Sequence, residues 1–218
     1  MSEARRTSDP ENPQAPPTPG PAQTPLTEQD ADALLDVAEA SVSAGLLRGR
    51  ALDPDLAGLS LSLTSHGASF VTLERGGALL GCIGSLQAVR PLISDVASNA
   101  YAAGFVDPRL PAVTIEDYVE MDIEISVLSA PRPMRAACVE DVLAALQPGA
   151  DGVVVEAPGH RATFLPAVWR SLPEPRLFIA QLWRKAWLTP GEWPEGTVVW
   201  RYRVTEIARP GPRRLPSC

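Results

Sequence analysis

The sequence, 218 residues long, predicts an α+β protein from three observations. Phe70-Val71-Thr72-Leu73-Glu74 and Ala78-Leu79-Leu80-Gly81-Cys82-Ile83-Gly84-Ser85-Leu86 are apolar runs joined by the turn Arg75-Gly76-Gly77, the pattern of a β-hairpin. From Val119 the chain alternates, with Val119, Met121, Ile123, Ile125 and Val127 on one face and Glu120, Asp122, Glu124 and Ser126 on the other, as in a half-buried strand. Elsewhere apolar and small residues recur at helical spacing, at Leu34, Ala38, Ser41, Val42 and Gly45 and again at Ile179, Leu182, Trp183 and Ala186.

Each element follows in order. Residues 1 to 25 carry seven of the 23 prolines and almost no large apolar side chains, too little to offset chain entropy, and read as a disordered leader. Thr27 caps the first helix with Asp30 three residues on, an Asp variant of the capping box. Leu59, Leu61 and Leu63 alternate with serines and suggest a strand that turns at Ser65-His66-Gly67 into the hairpin. Pro91 opens a second helix packed through Leu92, Val96, Ala100 and Ala103, which ends in the two-proline loop from Gly104 to Pro111. After the alternating strand come a short helix from Val139 to Leu146 with Cys138 near its start, a buried strand Val153-Val154-Val155, and a turn and strand from Gly159 to Pro166. Pro173 or Pro175 opens the last helix. Val198, Trp200, Tyr202 and Val204 alternate as a closing strand, and residues 209–218 read as a flexible tail.

Composition limits the function. Apolar content of 45% with 21% charged residues is that of a soluble globular chain, and no run approaches a membrane span. The polar start offers no secretory signal, so the cytosol is the default location. A net charge of -7 argues against nucleic acid, whose phosphates need a basic stripe. Cys82, Cys138 and Cys218 are odd in number and widely spaced, which argues against a disulfide framework or a structural zinc site. With two histidines and no ligand spacing, no metal site is predicted.

The candidate site centres on Cys82. Strand interiors avoid glycine, so Gly81 and Gly84 on either side of the thiol indicate a bulge or a close approach to the backbone. Asp107 and Arg109 sit two apart in the proline loop; they either pair to fix the loop or present the guanidinium to an anion. Glu120, Asp122 and Glu124 line one strand face, which is either solvated or, facing a ligand, a source of acid/base groups. His66 reads as a turn residue, and Cys138 as a packed residue or a helix-terminal thiol.

The motifs Phe70-Val71-Thr72-Leu73, Leu80-Gly81-Cys82-Ile83-Gly84, Ala102-Ala103-Gly104-Phe105-Val106-Asp107-Pro108-Arg109, Ile123-Glu124-Ile125-Ser126-Val127-Leu128, Phe164-Leu165-Pro166-Ala167-Val168 and Lys185-Ala186, in that order, resemble the AMMECR domain family. The resemblance covers roughly residues 27 to 207, within an expected domain at 26–208. It departs from the family at Leu80, where an arginine is usual and for which Arg109 or Arg161 would substitute, and at Trp187, where the family has Lys-Ala-Gly. The resemblance implies a mostly antiparallel sheet flanked by helices, a smaller α/β subdomain at approximately 129–170, and a cleft between them faced by the cysteine motif. It also implies an AmmeMemoRadiSam system protein A, working with a Memo-type protein and a radical SAM protein. Cys82, Gly81, Gly84, Asp107, Arg109 and Glu124 are then its site residues, and no cofactor is named. Two functions stand: a ligand- or partner-binding module, and an enzyme using Cys82 as nucleophile or redox thiol with a carboxylate such as Glu124 or Glu120.

Overall fold

The computed structural model describes residues 25–214, so the proline-rich leader through residue 24 and Cys218 lie outside the described residues. The chain forms two compact units. Of the described residues, the larger holds 25–130, 150–152 and 202–214; the smaller holds 131–149 and 153–201.

In the larger unit, helix α1 (Glu28–Arg48) starts on the expected capping box: Thr27 Oγ1 accepts the Asp30 N–H at 3.1 Å, and an Asp30 carboxylate oxygen accepts the Thr27 N–H at 3.0 Å. Strands β1 (His66–Arg75) and β2 (Ala78–Gly84) form the hairpin. Gly76 and Gly77 at its tip have φ of 57° and 81°, which a two-residue primed turn requires and only glycine adopts freely. Strand β3 (Arg90–Pro91) pairs with the start of β1 and leads into α3 (Leu92–Phe105), with α2 and α4 as the short helices Leu61–Thr64 and Ile115–Glu120. With β4 (Asp122–Leu128) and β9 (Val204–Arg209) the main sheet runs β2-β1-β4-β9, antiparallel throughout. Val71, Leu73, Ile123 and Ile125 of the sheet share one core with Leu34, Ala38 and Val42 of α1 and Val96, Ala97 and Ala100 of α3.

Strand alternation then puts Thr72 and Glu124 on the opposite sheet face. Thr72 lies opposite Cys82 on one side and Glu124 on the other, so the three form one row across the sheet. The hairpin register slips by one residue, Leu73 facing Gly81 but Glu74 facing Leu79. Leu80, where the family arginine is expected, is the extra residue of that bulge.

The smaller unit carries β5 (Arg132–Pro133), α5 (Val139–Ala145), β6 (Gly152–Ala157), β7 (His160–Phe164), α6 (Pro175–Lys185) and β8 (Val198–Tyr202). Its sheet is ordered β5-β8-β6-β7. Val142, Val155, Leu182 and Trp183 form its core, where Trp169 stacks on Phe178 with ring centroids 3.8 Å apart.

Several expectations are corrected. The Leu59–Leu63 segment is not a strand, because Ser60 Oγ accepts the Leu63 N–H and caps α2, burying Leu63 and leaving Leu61 exposed. His66 is consequently a strand residue and not a turn residue. Val119 and Glu120 belong to α4, opened by a Thr114–Asp117 capping box, so the carboxylate row shortens to Asp122 and Glu124. The closing strand divides into β8 and β9, which belong to different sheets. The smaller unit extends to residue 201 instead of ending near 170, because α6 and β8 supply its core and sheet. The tail is held as far as Arg213, which is buried and bonds to Glu39 and the carbonyls of Met121 and Arg209.

Candidate functional site

Gly81 and Gly84 both sit where a side chain does not fit. A Cβ at Gly81 would stand 1.8 Å from the Ala103 carbonyl oxygen of α3, and one at Gly84 would stand 2.2 Å from the Phe70 ring. Gly81 therefore brings the edge strand against the helix backbone, and Gly84 makes room for an aromatic ring. Cys82 stands between them, half-buried and free, with Thr72 Oγ1 donating to its sulfur at 3.4 Å.

The peptide groups of Cys82 do not serve the hairpin ladder. Its N–H donates to Asp107 Oδ2 at 3.0 Å, and its carbonyl accepts from Arg109 Nη2 at 2.9 Å. In an antiparallel sheet a residue's N–H and C=O point to the same side, so both face outward from edge strand β2. Asp107 and Arg109 act there as a neighbouring strand would, one supplying the acceptor and the other the donor. They are locked to each other as well, through Arg109 Nε to Oδ1 at 2.8 Å, Nη2 to Oδ2 at 2.6 Å and the Arg109 N–H to Oδ1 at 3.1 Å. Arg109 above all, and then the Cys82 N–H, hold the Asp107 carboxyl far below the usual carboxylate range. The side chain of Asp107 is covered while that of Arg109 is 60% exposed. Asp107 chiefly, and Cys82 after it, hold the Arg109 guanidinium above its ordinary range, so the guanidinium meets the Cys82 side chain as well as its carbonyl.

Glu124 lies in the same row, beyond Thr72. Two interstrand spacings, about 10 Å, separate its backbone from that of Cys82, so Thr72 and not Glu124 touches the thiol. Glu120 instead pairs with Arg75 at 2.6 Å. His66 is six residues along β1 from Thr72, about 20 Å, and His160 and Arg161 belong to the smaller unit, where Glu156 is 3.8 Å from Arg161. Cys138 is the N-cap residue of α5 without a side-chain cap bond. Among the described residues no three His, Cys, Asp or Glu side chains stand together as a metal site.

Sequence reasoning missed a buried polar cluster on β1 and α3. Asp95 Oδ2 accepts the Ser69 N–H at 2.9 Å, the Ser69 hydroxyl at 2.8 Å and Asn99 Nδ2 at 2.9 Å. Burial pushes the Asp95 carboxyl up, against the opposing pull of Ser69, Arg90 and Asn99. The signal was present: Asp95 and Asn99 are four residues apart on the packed stripe marked by Leu92, Val96, Ala100 and Ala103. Polar residues on such a stripe must satisfy one another.

An antiparallel sheet backed by two helices, with a smaller α/β unit and a glycine-flanked cysteine on the sheet edge, defines the class of this protein. The AMMECR1 family model matches residues 35–207, and the chain belongs to that family. A protein of Aeropyrum pernix is 32% identical over 198 residues, covering 86% of this chain and 82% of the relative. One of Methanothermobacter thermautotrophicus is 40% identical over 99 residues, covering 45% of this chain and 52% of the relative. The crystal structure of an uncharacterised protein from Pyrococcus horikoshii superposes with a TM-score of 0.75 at 27% identity, covering 86% of this chain and 95% of that one. No helix among the described residues is long and apolar enough to cross a membrane.

Proposed function

We propose that the domain is a binding module that meets its ligand or partner at Cys82 and Arg109, within a cytosolic system that includes a Memo-type protein and a radical SAM protein. One observation supports this above others: both peptide groups of Cys82 are held by Asp107 and Arg109, while Gly81 and Gly84 serve close packing. Such a device fixes a surface in place. The exposed side of the Arg109 guanidinium, next to Cys82, suits an anionic group such as a carboxylate or phosphate. Leu80 gives up the family arginine, and Arg109 supplies the cation in its place.

A second reading rests on the row of Cys82, Thr72 and Glu124. A proton leaving the thiol would pass by Thr72 Oγ1, which already touches the sulfur, toward Glu124, and Cys82 would serve as nucleophile or redox thiol.

One experiment separates the two. The rate of Cys82 alkylation is measured across about pH 5 to 9 in a Cys138→Ser, Cys218→Ser background. The binding reading expects slow modification without an apparent pKa below the roughly 8.5 of free cysteine, together with at least about tenfold weaker association with the two partner proteins in Arg109→Ala. Fast modification with a depressed pKa, and unchanged association in Arg109→Ala, would overturn it in favour of the thiol enzyme.

A further inference from the structure

Trp187 is the one non-glycine residue at positive φ among the described residues, at 60°, and its side chain is 86% exposed. It follows the last turn of α6, where the Leu188 N–H reaches the Trp183 carbonyl at 2.9 Å and the Trp187 N–H reaches that of Arg184 at 2.9 Å. This pair of bonds is a Schellman motif, whose left-handed residue is ordinarily glycine. The apolar contact that accompanies the motif is already made by Leu188 and Trp183, both buried. The indole therefore adds nothing to the core, strains the backbone and exposes a large apolar surface. A strained and exposed residue that the fold does not need points to function.

We infer that Trp187 is a docking anchor for a partner protein that offers an apolar pocket rimmed by acidic side chains. Charge complementarity selects that partner. Arg184 and Lys185 are exposed immediately before the indole; Arg184 has no ion-pair partner among the described residues, and Lys185 is steadied by the Thr163 carbonyl at 3.1 Å and the Phe164 ring. The nearest acidic residue along the chain is Glu192. The smaller unit carries eight Arg and Lys against six Asp and Glu, whereas the whole chain has a net charge of -7. Tryptophan and arginine are the side chains that most often dominate protein interfaces. This inference is independent of the Cys82 site.

The test is a selection of random displayed 16-residue peptides on the full chain, followed by titration of the recovered peptides. The inference expects acidic peptides with an apolar centre, bound at least about tenfold more weakly by Trp187→Gly and by Arg184→Glu/Lys185→Glu. Trp187→Gly should at the same time raise the unfolding midpoint by about 2–4 °C, which shows that lost binding does not come from lost folding. Recovery of no peptide that depends on Trp187, recovery of basic peptides, or an unchanged midpoint in Trp187→Gly would overturn the inference. So would Trp187-dependent sedimentation with phosphatidylserine vesicles in place of peptide binding.

Discussion

Gly81→Ala is the substitution that most directly tests how the cysteine strand is seated. The added Cβ would stand 1.8 Å from the Ala103 carbonyl oxygen and 2.7 Å from its carbon. Ordinary contact begins at 3.4 Å, so strand and helix must part by more than an ångström. The obstacle is backbone and has no other rotamer to adopt. Helix α3 cannot yield freely either, since Val96, Ala97, Ala100 and Ala103 are all at most 1% exposed. Overpacking against movable side chains costs about 1–3 kcal/mol; here the expected loss is about 3 kcal/mol or more, a large share of a typical 5–15 kcal/mol. Because Asp107 follows α3 by two residues, the same displacement should release the Cys82 N–H. The assay is urea unfolding followed by circular dichroism, with hydrogen exchange at the Cys82 amide. Gly104→Ala, in the same helix, is the control. Its Cβ meets nothing nearer than 3.6 Å, and it should be neutral or stabilising by up to about 1 kcal/mol through helix propensity. A loss under about 0.5 kcal/mol in Gly81→Ala, with unchanged Cys82 protection, would refute the packing argument.

Further predictions follow from the two polar clusters. The folded Asp107 carboxyl lies below its ordinary 3.8, so its stabilising contribution is present above that pH and is lost as pH falls through the folded value. Asp107→Asn should be less stable than the parent at neutral pH, and acid titration of both should show the gap closing below about pH 4. The Asp95 carboxyl is shifted the other way, chiefly by burial. Its contribution is fully present below 3.8 and is lost as pH rises through the raised value, so Asp95→Asn should flatten that part of the stability profile. Asp95→Ala leaves Ser69 without an acceptor for its N–H and hydroxyl, and denaturant titration should show a loss of about 2–4 kcal/mol. Removing the Arg109 guanidinium frees the Cys82 carbonyl at a sheet edge, and Arg109→Ala should self-associate more at high concentration, measurable by light scattering.

The sequence alone determined the elements whose signals are local. The hairpin tip at Gly76-Gly77, the Thr27–Asp30 capping box and the stripes of α1, α3 and α6 depend on residues within a turn of one another, and a reader of the chain finds them without a structure. The family was legible for a related reason, since its motifs are short and keep their order. The placement of Cys82 between two glycines was visible too, but what the glycines accommodate was not. That needs the Ala103 carbonyl and the Phe70 ring brought against β2. Asp107 and Arg109 could be read as a pair from their spacing, yet their hold on Cys82 spans 25 and 27 residues and exists only once α3 docks. Local alternation misled where a cap decided the outcome, as at Ser60 and Thr114, because one side-chain bond to a free N–H outweighs a weak strand pattern. Register, edge position and the direction of a peptide group are settled by contacts between distant segments. These, rather than the residue types alone, put Thr72 beside the thiol and leave Glu124 two strands away.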